Sequence, residues 1–270
     1  MGEETRHGTA PSRAGKQLLG VEKVTVRFGG IVALDSVSFE IDDGQVCGLI
    51  GPNGAGKTTL FNCLSRLYNC NEGRITFEGT ELTKLPRNEM AALGIGRTFQ
   101  NLALFKTMTV RQNVMVGRHC RTRCGFLANA LHTRAVVREE QETEAQANEL
   151  LSMLDLHPVA EIPVAALPFG TQKRVEFARA MAAKPKLLLL DEPAAGLNHE
   201  EVSALGDLIR SVRDKLGVTV LLVEHHMSLV MGVSDKVVAL NFGRKIAEGT
   251  PDHVREHPDV IQAYLGAPAQ

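Results

Sequence analysis

The chain is 270 residues long, 44% of them apolar, with a formal net charge of −1. That length suits a core with an attached subdomain, and that apolar share is enough to fill it. The neutral balance argues against a nucleic-acid-binding surface, and no run of 18 apolar residues is present to cross a membrane.

Residues 1–17 are polar and charged and lack an apolar signal core. They are expected to be a disordered tail ahead of a single domain over residues 18–270. Leu19 to Phe28 and Ser36 to Ile41 carry β-branched and aromatic residues in partial alternation and are predicted strands. Gly29-Gly30 and Asp42-Asp43-Gly44 are the turn signals beside them. Val46 to Ile50 is apolar or small and reads as a buried strand, and Thr59 to Leu64 can form a helix.

Between that strand and helix, Gly51-Pro52-Asn53-Gly54-Ala55-Gly56-Lys57-Thr58 fits G-x-x-x-x-G-K-[ST] at every fixed position. A phosphate chain needs close donors without side-chain bulk. Gly51, Gly54 and Gly56 lack Cβ, so the backbone can curl and turn its N–H groups inward. The helix that follows aims its positive end at the same anion. Lys57 adds a full charge for the outer phosphates, and the Thr58 hydroxyl is placed to ligate Mg²⁺. The plain alternative is a Gly-rich turn. Gly, Lys and Thr in register, with a strand before and a helix after, favour the phosphate site.

Gly73 to Gly79 reads as another short strand, and helical patterns dominate from about Thr107 to Ala183. Ala147, Leu150, Leu151 and Leu154 share one helical face, as do Val175, Ala178 and Ala182, and both stripes are expected to pack in the core. Cys120 to Arg138 is basic and irregular and fits neither pattern. The five cysteines, Cys47, Cys63, Cys70, Cys120 and Cys124, match no zinc spacing and are expected to be free thiols.

Leu187 to Leu190 and Val218 to Val223 are continuous apolar runs, as in parallel strands buried on both faces. Each ends in polar residues, Asp191-Glu192 and Glu224-His225. Ligands of such sheets bind outside the carboxyl ends of the strands, so Asp191, Glu192 and His225 are expected on the phosphate-loop side. Asp191 can hold Mg²⁺ opposite Thr58, and Glu192 can orient and deprotonate an attacking water. The plain alternative is that the paired acids cap the next segment.

Together these residues resemble the ATP-binding subunit of an ABC transporter, from Leu18 to Gly266. Arg97-Thr98-Phe99-Gln100 resembles the Q-loop, which implies Gln100 as a Mg²⁺ and water contact. Leu167-Pro168-Phe169-Gly170-Thr171-Gln172 sits where the signature belongs, and Ala195-Gly196-Leu197-Asn198 resembles the D-loop. His225 falls at the switch histidine and Phe28 where an aromatic ring stacks on adenine. The resemblance implies an α/β fold: a RecA-like P-loop NTPase core, an antiparallel β subdomain, and a helical subdomain over about 101–183. It implies ATP and Mg²⁺ as ligands. Gly51, Pro52, Asn53, Gly54, Ala55, Gly56, Lys57, Thr58 and Thr59 would bind the nucleotide, and Gly170 would bind it from the opposite side. Glu192, His225 and Gln100 would be catalytic, and Thr58, Gln100 and Asp191 would hold the metal.

The signature departs from L-S-G-G-Q. Pro168 stands for the serine and has no N–H to offer, which leaves Gly170 and the dipole of a helix starting near Thr171. Thr171 is a candidate N-cap of that helix. Asn198 stands for the common D-loop aspartate, and His226 for an aspartate beside the switch histidine.

The resemblance further implies two cassettes packed head to tail, identical or not, with ATP between them. Two membrane permease subunits and, indirectly, a periplasmic solute-binding protein would complete the assembly at the cytoplasmic face of the inner membrane. No nucleic-acid partner is expected. Leu102, Leu104, Phe105 and Met108 supply apolar surface where the family docks its permease, or pack in the core. Arg97 to Phe105, Pro168-Phe169-Gly170, Ala194 to Asn198 and Pro258 to Gly266 resemble the larger ATP-binding subunit of branched-chain amino-acid importers. Urea or amide uptake and lipopolysaccharide export are the neighbouring alternatives. A soluble ABC ATPase of DNA repair or translation would carry zinc or coiled-coil inserts, or two fused nucleotide domains. A non-catalytic regulator would not need Lys57, Asp191, Glu192 and His225 together.

Overall fold

Two long strands, β1 (Gln17–Phe28) and β2 (Ile31–Asp42), meet at Gly29-Gly30 in an antiparallel hairpin. Gly29 takes φ 57°, a left-handed conformation that lets the chain reverse between Phe28 and Ile31. The second strand therefore begins at Ile31, five residues before the expected Ser36. The computed structural model describes residues 15–98, 103–119 and 133–265. Gln17 already pairs with Asp42, and the Lys16 carbonyl accepts the Asp43 N–H. The sheet thus takes in the last residues of the stretch expected as a tail.

The chain continues through β3 (Val46–Ile50), α1 (Lys57–Leu64), β4 (Glu72–Phe77), β5 (Thr80–Glu81), α2 (Met90–Leu93) and β6 (Ile95–Arg97). Helices α3 (Val110–Gly117), α4 (Arg134–Met153) and α5 (Phe169–Ala182) follow. The last part holds β7 (Leu187–Asp191), α6 (His199–Leu216), β8 (Thr219–Val223), α7 (Met227–Val233), β9 (Lys236–Asn241), β10 (Arg244–Gly249), α8 (Pro251–Arg255) and α9 (Pro258–Leu265). One sheet is antiparallel in the order β2-β1-β4-β5. The other has the order β10-β9-β3-β8-β7-β6 and is parallel except for the β9–β10 edge.

The apolar runs of the parallel strands are shared between two cores. Leu188, Leu190, Val220 and Leu222 join the core that includes Val114 of α3, Leu151 of α4, Val175 of α5 and Ile209 of α6. Leu187, Leu189, Leu221 and Val223 join the core beneath the antiparallel sheet, with Leu19, Phe39 and Phe77. Alternate residues of a strand point to opposite faces, so a continuous run serves two layers. Burying each such side chain contributes roughly 1.5–3 kcal/mol. Both helical stripes pack as expected: Ala147, Leu151, Leu154, Val175, Ala178 and Ala182 are buried in the first core, with Leu150 half-buried against it.

The signature helix starts earlier than expected. Its N-cap is Pro168 (φ −56°), and the Gln172 N–H donates to the Pro168 carbonyl at 3.0 Å. Thr171 lies within the first turn and is not the cap. The proline ring pre-sets an entry angle and needs no donor there, so no capping side chain marks the boundary. No described helix is long and apolar enough to cross a membrane.

Candidate nucleotide site

The phosphate loop joins β3 to α1, and its shape depends on positions closed to side chains. Gly51 has φ 152°, and a Cβ there would strike the Leu240 carbonyl oxygen. Gly56 has φ 101°, and its Cβ would lie 2.7 Å from the Ala33 carbonyl oxygen. Asn53, Gly54 and Thr58 are exposed, Pro52, Gly56 and Thr59 half-buried, and Ala55 buried. Lys57 is buried and donates from Nζ to the Gly51 and Pro52 carbonyls at 2.6 and 3.0 Å. Burial pushes its ammonium below the usual lysine range, and the nearby Glu192 charge works in the other direction. At the end of β1, Phe28 is 46% exposed, with the Tyr68 ring at 5.2 Å in an edge arrangement.

Asp191 ends β7 and is buried, and Glu192 follows it. Arg97, from the end of the neighbouring β6, contacts Asp191 Oδ2 at 2.9 Å. The same guanidinium donates to Asn62 Oδ1 at 3.0 Å and Ser65 Oγ at 2.8 Å. It therefore ties β7 to the helix behind the phosphate loop. Glu192 has φ 49°, unusual for a residue with a side chain. Its N–H donates to the Val223 carbonyl at 2.9 Å, and its carbonyl accepts from the Ala195 N–H at 3.1 Å. Those bonds hold the kink and send the side chain to His225, whose Nε2 donates to Glu192 Oε1 at 2.8 Å.

The signature packs on its own D-loop stretch. Phe169 fills the space beside Gly196, where a Cβ would meet its ring at 2.9 Å. Lys173 Nζ lies 5.7 Å from the centroid of the Phe169 ring. Gly170 faces Glu201, whose carboxylate occupies the place of the missing Cβ. Glu201 and Asn198 form a capping box at the start of α6. The structure thus brings Lys57, Asp191, Glu192 and His225 to one end of the parallel sheet. Gly170 belongs to a separate cluster with Glu201.

Gln100 and Leu102 lie outside the described residues, as do Cys120, Cys124 and Gly266. Of the remaining apolar residues before α3, Leu104 packs against the core and Phe105 stays 48% exposed. Buried Asn113 braces that loop, accepting from the Phe105 N–H and donating to its carbonyl. Cys47, Cys63 and Cys70 are free. Burial pushes the Cys47 thiol up to about 12.

Three contributors escape sequence reasoning. Arg97 stands inside the Q-loop resemblance without any sign of its pairing. Glu224 reads as the end of a strand. Tyr264 of α9 accepts the Gly51 N–H at 2.8 Å across a separation of 213 residues, which no local pattern reveals. As for a metal, the Thr58 hydroxyl and Asp191 carboxylate are hard oxygen donors of the kind Mg²⁺ takes. No group of three His, Cys, Asp or Glu suited to a metal is present among the described residues.

Known proteins match this chain along almost its whole length. The ABC transporter family pattern covers residues 34–195. A second, described as branched-chain amino acid ATP-binding cassette transporter, covers residues 244–270. The high-affinity branched-chain amino acid transport ATP-binding protein BraF of Pseudomonas aeruginosa is 45% identical over 251 residues, 93% of this chain and 98% of that protein. A crystal structure of the ADP conformation of an ATP-binding cassette of an ABC transporter is 32% identical with TM-score 0.81, over 93% of this chain and all of the other. A dimeric post-hydrolysis cassette bound to ADP and Pi is 25% identical with TM-score 0.72, over 87% and 99%.

Proposed function

The chain belongs to the ABC transporter family, and from that membership we propose that it is the ATP-hydrolysing subunit of an importer of branched-chain amino acids. The observation that carries the catalytic part is the Glu192–His225 pair, 2.8 Å apart at the ends of adjacent parallel strands. The solute rests on likeness to branched-chain transport proteins at 42–45% identity and on the match of the C-terminal segment.

In this reading the N–H groups of Asn53, Gly54 and Gly56 to Thr59 and the Lys57 ammonium hold the phosphate chain of ATP. Gly51, whose N–H is taken by Tyr264, Pro52, which has none, and Ala55, whose N–H goes to the Pro52 carbonyl, shape the loop. Phe28 stacks on the adenine. Glu192 takes the proton of the water that attacks the γ-phosphate, and His225 holds the Glu192 carboxylate in line through its Nε2–H. Thr58, Asp191 and Gln100 would hold Mg²⁺, which neutralises charge on the outer phosphates. Gly170 and the positive end of α5 face the ATP of a second cassette, and the dimeric likeness supports that pairing. Two permease subunits receive the motion, with Phe105 offered on the docking side. A periplasmic solute-binding protein acts through them. The chain sits peripherally on the cytoplasmic face of the inner membrane.

The test is co-purification with the membrane subunits and binding protein, followed by ATPase and uptake assays in vesicles. Leucine, isoleucine and valine are expected to stimulate hydrolysis, and urea and other amides are not. Stimulation by urea alone would move the solute assignment, and a complex without ATP turnover would sink the hydrolase.

A further inference from the structure

One buried carboxylate has no part in the mechanism above. Glu224 is 2% exposed. Its Oε1 accepts the Ala194 N–H at 2.6 Å, and its Oε2 accepts the N–H groups of His225 at 2.9 Å and His226 at 3.3 Å. Among the described residues, three backbone N–H groups and no cation answer its charge. A carboxylate can accept at both oxygens at once, which neither an amide nor a hydroxyl can do.

The two loops it joins carry the reacting pair. Ala194 lies two residues after Glu192, in the turn closed by the Ala195 N–H on the Glu192 carbonyl. That turn runs on to Gly196, against the signature residue Phe169. On the other side, Glu224 grips the N–H of His225 itself. We infer that Glu224 is a positioning residue, whose carboxylate sets the spacing of the Glu192 and His225 side chains by tying the turn that leads into the D-loop to the loop of His225. This rests on the roles given above to Glu192 and His225. The same linkage connects the signature surface, through Phe169 and Gly196, to the catalytic pair of its own chain.

Two substitutions separate this role from mere filling of the core. Glu224→Gln is nearly isosteric but keeps only one acceptor, so it holds one loop and sets an N–H against the other. Glu224→Asp keeps the charge but is one methylene too short to reach both. In the assembled transporter, each is expected to lower kcat for ATP about 10- to 100-fold, the cost of a small misplacement of reacting groups. The KM for ATP should stay within about threefold, because the phosphate loop is untouched. In a His225→Ala background, Glu224→Gln should cost less than about twofold more, since the spacing then serves no histidine. Multiplying losses in the double variant, an unchanged kcat, or a KM that rises in step would each overturn the inference. If the Gln variant fails to assemble, the Asp variant carries the same cycle. The underlying reading fails separately: full turnover by Glu192→Gln removes Glu192 as base whatever the Glu224 cycle returns.

Discussion

The glycine loop is one continuous run, Gly51 to Thr58, whereas the Glu192–His225 pair comes from loops 33 positions apart. The loop takes its shape from glycine dihedrals that only a residue without Cβ adopts freely, φ 152° at Gly51 and 101° at Gly56. The pair takes its spacing from β7 beside β8, from the Val223 carbonyl on the Glu192 N–H, and from Glu224 between the loops. A site written in consecutive residues is vulnerable mainly to local change. A site assembled from strand ends is vulnerable to anything that shifts one strand against the next. Arg97 and Tyr264 are where the two meet the rest of the chain. Arg97 links Asp191 to α1, and Tyr264 links the C-terminal helix to Gly51.

The largest expected effect cuts the catalytic side alone. Glu192→Gln should lower kcat about 10²- to 10⁴-fold, the contribution of a general base, while ATP affinity holds. An ATP-bound dimer should then accumulate on gel filtration, and unchanged turnover would remove Glu192 as base. Next comes the bridge. Arg97→Met leaves Asp191 buried without its partner and should cost about 3–5 kcal/mol in denaturant titration. A loss under about 1 kcal/mol would mean that the two regions do not lean on this pair.

Lys57→Ala tests the loop alone. It removes a charge-assisted donor and should weaken ATP binding about 10- to 100-fold by calorimetry, without loss of fold. Wild-type affinity would undo the phosphate-loop reading. The smallest effect is expected from Tyr264→Phe, which deletes one hydrogen bond to Gly51 worth about 0.5–1.5 kcal/mol. The KM for ATP should rise by a few-fold with kcat held. A change in kcat alone would show that α9 reaches the catalytic pair instead.

Much of this contrast is legible in the amino-acid order. Leu187 to Leu190 and Val218 to Val223 announce parallel strands because runs without alternation suit burial on both faces. The acids and histidine at their ends then fall on one rim. Other features are not legible. Ile95 to Arg97 is too short to show a period, so β6 and the reach of Arg97 to Asp191 go unseen. The start of α5 at Phe169 goes unseen because Pro168 caps through geometry and carries no capping side chain. The packing of Gly170 against Glu201 joins two helices that nothing in the intervening sequence relates.

Consecutive residues were enough for the phosphate loop, the strand ends and the family resemblance, because backbone dihedrals and side-chain alternation act over a few residues. The folded chain alone decided which partners those groups hold: Arg97 on Asp191, Glu224 between Ala194 and His225, Tyr264 on Gly51. Hydrogen bonds and ion pairs depend on distances of about 3 Å. Such distances, between residues far apart along the chain, are set only when the sheet and its helices close on a common core.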